Sequence, residues 1–278
     1  MKNSITSICY EINKECDLAC DYCITSDNPI DRISYEKIVL FLKRLNPKRI
    51  VISGGEPLLD AFLLDKLELI RKGLPNAYIS LSTNGTISYD YSELEGLIDC
   101  IDVSLPTLDP KIYKGMRGYD KLSKVINNLE KVKDCDYDLR LSFMLTKYNY
   151  TGLKDVMDYA NKLNVVEFRV GRYFPFRGGH VFKDKYELTD NEIKNIVEEI
   201  KDEEYHYKIV RPISSLKIME SGYLTVNYAG EVSVPTEKGK NILLTIESGL
   251  EDINKINSLS NNQNKIFKKV ILKDTPKK

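Results

Sequence analysis

Residues 16–23 read CDLACDYC and bring Cys16, Cys20 and Cys23, half of the six cysteines of the chain, into eight positions. Three chemistries group thiols in this way: disulfides, a zinc site and an iron–sulfur cluster. Structural zinc takes four protein ligands, commonly in two C-x2-C-type pairs. The spacing here is C-x3-C-x2-C, with one such pair, and no second pair complements it. His180 and His206 are isolated, and Cys9, Cys100 and Cys135 are scattered. A [4Fe–4S] cubane takes four thiolates. Three thiolates on one loop would hold three irons and leave the fourth open, and an open metal position is a place for chemistry, as at catalytic zinc. The spacing favours iron–sulfur and leaves a structural metal site and a chance grouping open.

The compartment bears on the disulfide reading. The first residues, MKNSITSICYEINKEC, show no apolar run followed by a small-residue cleavage site. No stretch approaches the roughly 20 apolar residues of a membrane span. A cytoplasmic protein with reduced thiols is expected, and clustered cysteines there serve metals or catalysis more often than disulfides. Lys+Arg and Asp+Glu both number 41. No global field draws the chain to nucleic acid or a membrane surface, and neither is expected as a partner. At 278 residues, 42% hydrophobic and 29% charged, the chain can bury a large core.

The elements that must position the cysteines follow from the hydrophobic pattern. SITSICYEI (4–12) is a β-branched run that ends just before the cysteine loop. Helical spacing covers 34–45, with Ser34 as N-cap, and 61–73, closed by Gly73. RIVISGG (49–55), AYISLSTNG (77–85) and CIDVSL (100–105) read as strands. An amphipathic helix at 119–134, a strand at 139–146, a helix at 152–164 and a strand at 165–175 complete about six strand–helix repeats. Alternation of this kind means parallel βαβ units, which can curl into a barrel with ligands at the C-terminal ends of the strands. The repeat stops near 175. A helix (189–201), a strand (206–210) and a hairpin (223–234, with NYAG as the turn) follow. The last stretch is polar and Lys-rich. The expected division is the strand–helix repeat at 1–180, a smaller part with the hairpin at 181–258 and a tail at 259–278.

Four further motifs stand at the ends of these strands. Gly54-Gly55-Glu56-Pro57 follows the second, Ser82-Thr83-Asn84-Gly85 the third, Asp102-Val103-Ser104-Leu105 the fourth, and Arg117-Gly118 comes after it. Taken singly each has a plain structural reading: a strand–turn–helix with Pro57 at a helix start, a turn, a solvated arginine. With the loop Cys16-Asp-Leu-Ala-Cys20-Asp-Tyr22-Cys23, whose pattern is CxxxCxΦC with Φ aromatic, their order over residues 5 to about 175 resembles the radical S-adenosylmethionine (radical SAM) superfamily. The likeness is to its molybdenum-cofactor cyclase and peptide-maturase branch, which often carries a C-terminal SPASM or twitch domain.

The resemblance implies an α/β fold, a partial (β/α)6 TIM-like barrel with a small C-terminal α+β cap. It implies one [4Fe–4S] cluster on Cys16, Cys20 and Cys23, whose open iron chelates SAM. Reductive cleavage then yields a 5′-deoxyadenosyl radical that abstracts hydrogen from the substrate, chemistry that belongs to the cofactors. Gly54 and Gly55 would let the backbone approach the SAM amino group, and Glu56 would fix the turn. Ser82, Asn84 and Ser104 fall where the family contacts ribose and methionine, with Ser142 a weaker ribose candidate. Arg117 would neutralise the SAM carboxylate, and Tyr22 would pack near the adenine. A one-electron donor such as flavodoxin or ferredoxin is implied as partner. Glu11 and Asn13 precede the loop as in many relatives, without an assigned chemical role.

The chain departs from the branch at its C-terminal side. No cysteine follows Cys135, and Thr236 stands after Pro235, where auxiliary-cluster domains often place one. A degenerate, cluster-free cap is expected, and Cys9, Cys100 and Cys135 read as buried structural thiols. FRVGRYFPFRGG (168–179) resembles the segment that borders the barrel mouth. Its Arg172 and Arg177 could hold an anionic substrate group or pair with Glu167 or Asp184, and Tyr173 and Phe174 could wall a pocket or fill core. Three functions stand side by side: a radical SAM enzyme acting on a small molecule (sugar, nucleoside or amino-acid derivative), a maturase of a ribosomally made peptide, and a non-catalytic iron–sulfur or zinc protein. The loop begins at residue 16, with no room before it for a leader-recognition domain, which tilts the expectation to the small molecule.

Overall fold

The computed structural model describes residues 7–23, 32–173, 182–212, 224–236 and 239–246. The helices are α1 (Tyr35–Leu45), α2 (Leu63–Gly73), α3 (Pro110–Arg117), α4 (Leu122–Val132), α5 (Leu153–Lys162), α6 (Lys183–Tyr186) and α7 (Asp190–Glu198). The strands are β1 (Ser7–Glu11), β2 (Arg49–Ser53), β3 (Tyr78–Thr83), β4 (Cys100–Ser104), β5 (Asp138–Leu145), β6 (Glu167–Arg172), β7 (Lys208–Val210), β8 (Leu224–Asn227), β9 (Glu231–Thr236) and β10 (Gly239–Thr245).

All ten strands form one sheet in the order β10-β9-β8-β1-β2-β3-β4-β5-β6-β7. From β8 through β7 every pairing is parallel, and β8–β9 and β9–β10 are antiparallel. Seven strands, β1 to β7, stand in chain order, the arrangement that right-handed strand–helix–strand crossovers impose. The hairpin expected in the cap joins this sheet: Cys9 pairs with Thr225 and Glu11 with Asn227. Asn227–Gly230 turns it, with Gly230 at φ +79°.

The register divides the sheet into two chemically opposite faces. Ile8, Tyr10, Ile50, Ile52, Ile79, Leu81, Ile101, Val103, Leu141, Phe143, Phe168 and Val170 lie on one face, all buried in a single core. Burying each such side chain contributes about 1.5–3 kcal/mol, so this face holds the fold. The other face carries Glu11, Ser53, Ser80, Ser82, Asp102, Ser104, Arg140, Ser142, Glu167 and Arg169 in the same register. Buried charge costs stability unless paired. A row of that kind adds little to the fold and is suited to a polar ligand.

Local signals set several boundaries. Asp109 caps α3, accepting from Lys111 N at 2.7 Å and Ile112 N at 3.0 Å, with Pro110 in the first turn and Gly118 in the left-handed C-cap. Thr189 and Glu192 form a capping box on α7. α2 runs through Gly73 and is capped at Leu74 rather than closed by the glycine. The Ser34 hydroxyl bonds Glu36 Oε2 instead of a backbone N–H. Cys100 is buried as expected, whereas Cys9 and Cys135 are partly exposed: Cys9 lies on the polar face and Cys135 just past α4. Arg177, Phe174 and the tail at 259–278 lie outside the described residues.

Candidate active site at the cysteine loop

The segment from Ile12 to Cys23 follows β1 and lies at the C-terminal edge of the parallel strands. It has no regular structure of its own, so its shape comes from neighbours. The turn after β2 is stitched to it through the backbone: Gly55 N donates to Asn13 O at 3.0 Å and Glu56 N to Glu15 O at 2.7 Å. Asn13 Nδ2 returns a bond to Glu56 O at 2.9 Å. The glycines are required by this crossing. A Cβ on Gly55 would stand 2.2 Å from Glu15 O, and one on Gly54, at φ +146°, 2.6 Å from Asn13 O. Their bareness accommodates the cysteine loop itself.

Glu56 is fully buried. Its carboxylate accepts from Leu58 N (3.1 Å), Thr83 Oγ1 (2.7 Å) and Asn84 N (2.7 Å), tying the β2 and β3 turns together. Burial pushes its pKa up to about 7, against the lowering effect of those three donors.

The β3 turn meets the loop at Asp17. Asn84 Nδ2 donates to Asp17 Oδ1 at 2.9 Å and lies 3.7 Å from Cys16 Sγ. Its Oδ1 accepts from Thr86 N at 2.8 Å. Thr86 Oγ1 (2.6 Å) and Lys121 Nζ (2.7 Å) both donate to Asp17 Oδ2, and Lys121 also reaches the Asp17 carbonyl at 2.9 Å. Burial opposes ionisation of Asp17, but the bonds from Lys121, Thr86 and Asn84 hold its pKa below the ordinary value.

Arg117 closes the other side. It is 6% exposed. Its Nη2 donates to Ser104 O (3.0 Å) and Ser104 Oγ (2.6 Å), its Nη1 lies 3.5 Å from Cys20 Sγ, and its guanidinium stands over the Tyr22 ring at 5.8 Å. Its carbonyl accepts from Ala19 N at 3.0 Å. The buried Nε has no hydrogen-bond partner among the described residues, nor has the Tyr22 hydroxyl. Tyr22 packs edge-on to Tyr186 at 5.7 Å, and Tyr173 joins the same cluster at 5.6 Å from Tyr186.

Ser82 and Ser104 are half-buried on the polar face, in register with Asp102 and Ser142. Ser142 Oγ donates to Asp102 Oδ1 at 2.5 Å. Behind them runs a charged row. Arg140 Nε stands 2.8 Å from Glu167 Oε1 without hydrogen-bond alignment, Arg169 Nε donates to the same oxygen at 2.5 Å, and Lys208 reaches Glu167 Oε2 at 3.1 Å. Arg140 and Arg169 also face Asp102, at 3.6 and 3.9 Å. Arg172 points to the opposite face and pairs with Asp190, and its Nη2 donates to Leu188 O at 3.4 Å. The local acid beside it is therefore Asp190, neither Glu167 nor Asp184. Tyr173 is buried at 3% exposure.

Cys16 and Cys23 are exposed and Cys20 partly so. Among the described residues no three Cys, His, Asp or Glu side chains converge as ligands of a single metal ion. A [4Fe–4S] cubane asks something different, since each thiolate takes its own iron. The donor set fits that demand: soft thiols on one open loop, an amide N–H beside Cys16 and a guanidinium beside Cys20. Burial, then the nearby Cys20, Glu56 and Asp17, push the Cys16 thiol up. Metal binding must therefore displace its proton.

Asp17, Asp21, Thr86, Lys121, Lys185, Arg140 and Arg169 belong to this environment and are missed by motif reading. Asp17 and Asp21 each directly follow a cysteine, a visible signal, but their partners are remote in sequence.

The chain matches the Radical SAM superfamily over residues 10–160, more than half its length, and belongs to that superfamily. Its members use a [4Fe–4S] cluster and SAM, and this chain is an enzyme of that kind with a partial TIM-like barrel. It is 30% identical over 218 residues to a Pyrococcus abyssi protein named "Probable GTP 3′,8-cyclase", a match covering 73% of this chain and 70% of that protein. A Methanococcus aeolicus protein of the same name is 32% identical over 176 residues, 58% of each chain. Among solved structures, Streptococcus suis SuiB bound to precursor peptide SuiA superposes with a TM-score of 0.74 at 17% identity, covering 90% of this chain and 64% of that one. Native anSMEcpe with bound AdoMet gives 0.68 at 19%, covering 91% and 82%. At these identities the structural likeness is one of fold. No helix among the described residues is long and apolar enough to cross a membrane.

Proposed function

We propose that this chain carries one cluster, on Cys16, Cys20 and Cys23, and uses it with SAM to abstract hydrogen from a small anionic molecule of the nucleotide class. When bound, the cluster and SAM supply reductive C–S cleavage and a radical at the adenosyl C5′, the electron coming from a donor of the flavodoxin or ferredoxin type. The residues of the chain orient and shield. Arg117, with its unpartnered Nε, meets the SAM carboxylate; Asn84, Ser82, Ser104 and Ser142 offer polar contacts along the strand ends; Gly54, Gly55 and Glu56 hold the turn that faces the amino group; Tyr22 lies by the adenine. Cys9 lies in β1, Cys100 in β4 and Cys135 past the end of α4, a separation along the chain that favours a single cluster. The division into a catalytic unit at 1–180 and a smaller unit at 181–258 is part of this reading, and the described strands of the second unit, β7 to β10, extend the sheet of the first.

One observation carries the substrate class. Arg169 keeps 37% of its side chain exposed on the polar face. The next residue on that face is Gly171, exposed and side-chain-free, so the guanidinium is open toward the strand ends. Arg140, Arg169 and Lys208 are balanced in charge by Asp102, Glu167 and Asp138 on the same face, and the partly exposed Arg169 is the member suited to a phosphate or carboxylate. The GTP named for the sequence relatives agrees with that chemistry.

The test is substrate-stimulated SAM cleavage. Reconstituted protein with dithionite and SAM should form 5′-deoxyadenosine faster when GTP or another nucleotide is added, and Arg169→Ala should raise the nucleotide KM about tenfold. Stimulation by a peptide and by no nucleotide would overturn the small-molecule reading in favour of peptide maturation.

A further inference from the structure

The loop places an aspartate directly after two of its three cysteines, Asp17 after Cys16 and Asp21 after Cys20. A cluster held by three thiolates is electron-rich, and its ease of reduction falls with each added negative charge. Two bare carboxylates beside it would oppose its assembly and reduction. Each is instead met by a lysine from a distant element. Lys121, at the start of α4, donates to Asp17 Oδ2 at 2.7 Å and to its carbonyl at 2.9 Å. Lys185, in α6, donates to Asp21 Oδ2 at 2.8 Å, and Tyr186 Oη to the same oxygen at 2.9 Å. Lys185 also donates to Gly115 O of α3 at 3.0 Å.

We infer that Asp17 and Asp21 are positioning residues that hold the cysteine loop through charge-neutral latches, Lys121 on the Cys16 arm and Lys185 with Tyr186 on the Cys20 arm. The inference rests on the reading that Cys16, Cys20 and Cys23 carry the cluster. Between Ile12 and Cys23 the loop has no helix or strand, so its thiols depend on side-chain anchors. Asp17 is held by three donors from two places: Asn84 and Thr86 on the turn after β3, and Lys121 at the start of α4. The second latch comes from the segment after β6, so the post-barrel chain takes part in shaping the cluster site. Each latch adds rigidity without adding net charge beside the thiolates, which a carboxylate or a lysine alone would not do.

Both lysines are partly exposed, at 24% and 35%, so their replacement by methionine leaves the core intact. The experiment is an EPR-monitored redox titration of the reconstituted protein, together with the rate of iron release to a chelator. Lys121→Met and Lys185→Met should each shift the midpoint potential to more negative values and speed iron release about threefold. Lys121→Arg should restore both. The double variant Asp17→Asn, Lys121→Met should return the potential toward wild type while iron release stays fast, because charge is balanced but the latch is gone. Unchanged potential and release in both lysine variants, with a cluster present in wild type, would overturn the latch. Wild-type protein that takes up no iron would overturn the cluster reading and the latch with it.

Discussion

Glu56→Gln is the perturbation with the clearest sign. Glu56 is completely buried, and its carboxyl titrates near 7 in the folded chain against an ordinary 4.5. Burial is the main cause. The raised folded value means that, between 4.5 and 7, the native state holds a proton that the unfolded chain has released. Stability therefore falls as pH rises through that window and levels off above it. The separation is worth about 3 kcal/mol at alkaline pH, of which about 2.5 falls between about pH 5 and pH 8. Glutamine does not titrate, so the variant loses this slope. It also brings an NH2 toward Asn84 N, whose acceptor at 2.7 Å was a carboxylate oxygen. That mismatch costs about 1–3 kcal/mol at every pH. The variant should be less stable than wild type near pH 5 and should approach or overtake it near pH 8. Urea denaturation of the reduced apo-protein, followed by circular dichroism across this range, reads the difference. Parallel stability curves for wild type and variant would refute the reasoning, because they would mean that Glu56 titrates alike in the folded and unfolded chain.

Other substitutions probe the same site. Gly55→Ala places a Cβ 2.2 Å from Glu15 O; the turn must move, with a loss of about 2 kcal/mol or more in denaturation and reduced iron uptake on reconstitution. Arg117→Lys keeps the charge but loses the fork to Ser104 and Cys20; iron content should be retained while SAM affinity, read by equilibrium dialysis, falls about tenfold.

Much of the barrel is legible in the sequence because its physical causes are local. Apolar residues such as Ile50, Ile52, Ile79, Leu81, Ile101 and Val103 mark strands that bury a helix-facing side, and the glycine-rich and polar turns fall at their C-terminal ends. The cysteine loop is legible because its spacing is chemically restrictive. Less legible are features whose causes are distant in sequence. Gly54 and Gly55 read as a place for ligand approach, and the observed crowding comes from Asn13 and Glu15 on another loop. Lys121 and Lys185 look like surface lysines until the fold sets them beside Asp17 and Asp21. α3 is hidden by Pro110 and Gly115, residues that read as loop signals, although Pro110 is a helix start and Asp109 its cap. Arg172 and Arg169 are three residues apart on one strand, and that odd spacing puts them on opposite faces. Motif reading offered Arg172 for an anionic group at the mouth or for a local ion pair; the alternation assigns the polar face to Arg169. The hairpin reads correctly as a hairpin, but no local signal says that β8 will pair with β1.

The central claim is that Cys16, Cys20 and Cys23 carry one SAM-cleaving cluster. The most direct measurement is anaerobic reconstitution of the wild-type chain and of Cys16→Ala, Cys20→Ala and Cys23→Ala, with iron, sulfide and 5′-deoxyadenosine counted after addition of dithionite and SAM. About four irons per wild-type chain, 5′-deoxyadenosine formed, and loss of product in all three variants is the predicted result. Full product in any one of the variants, or wild-type protein that binds zinc and no iron, would contradict it.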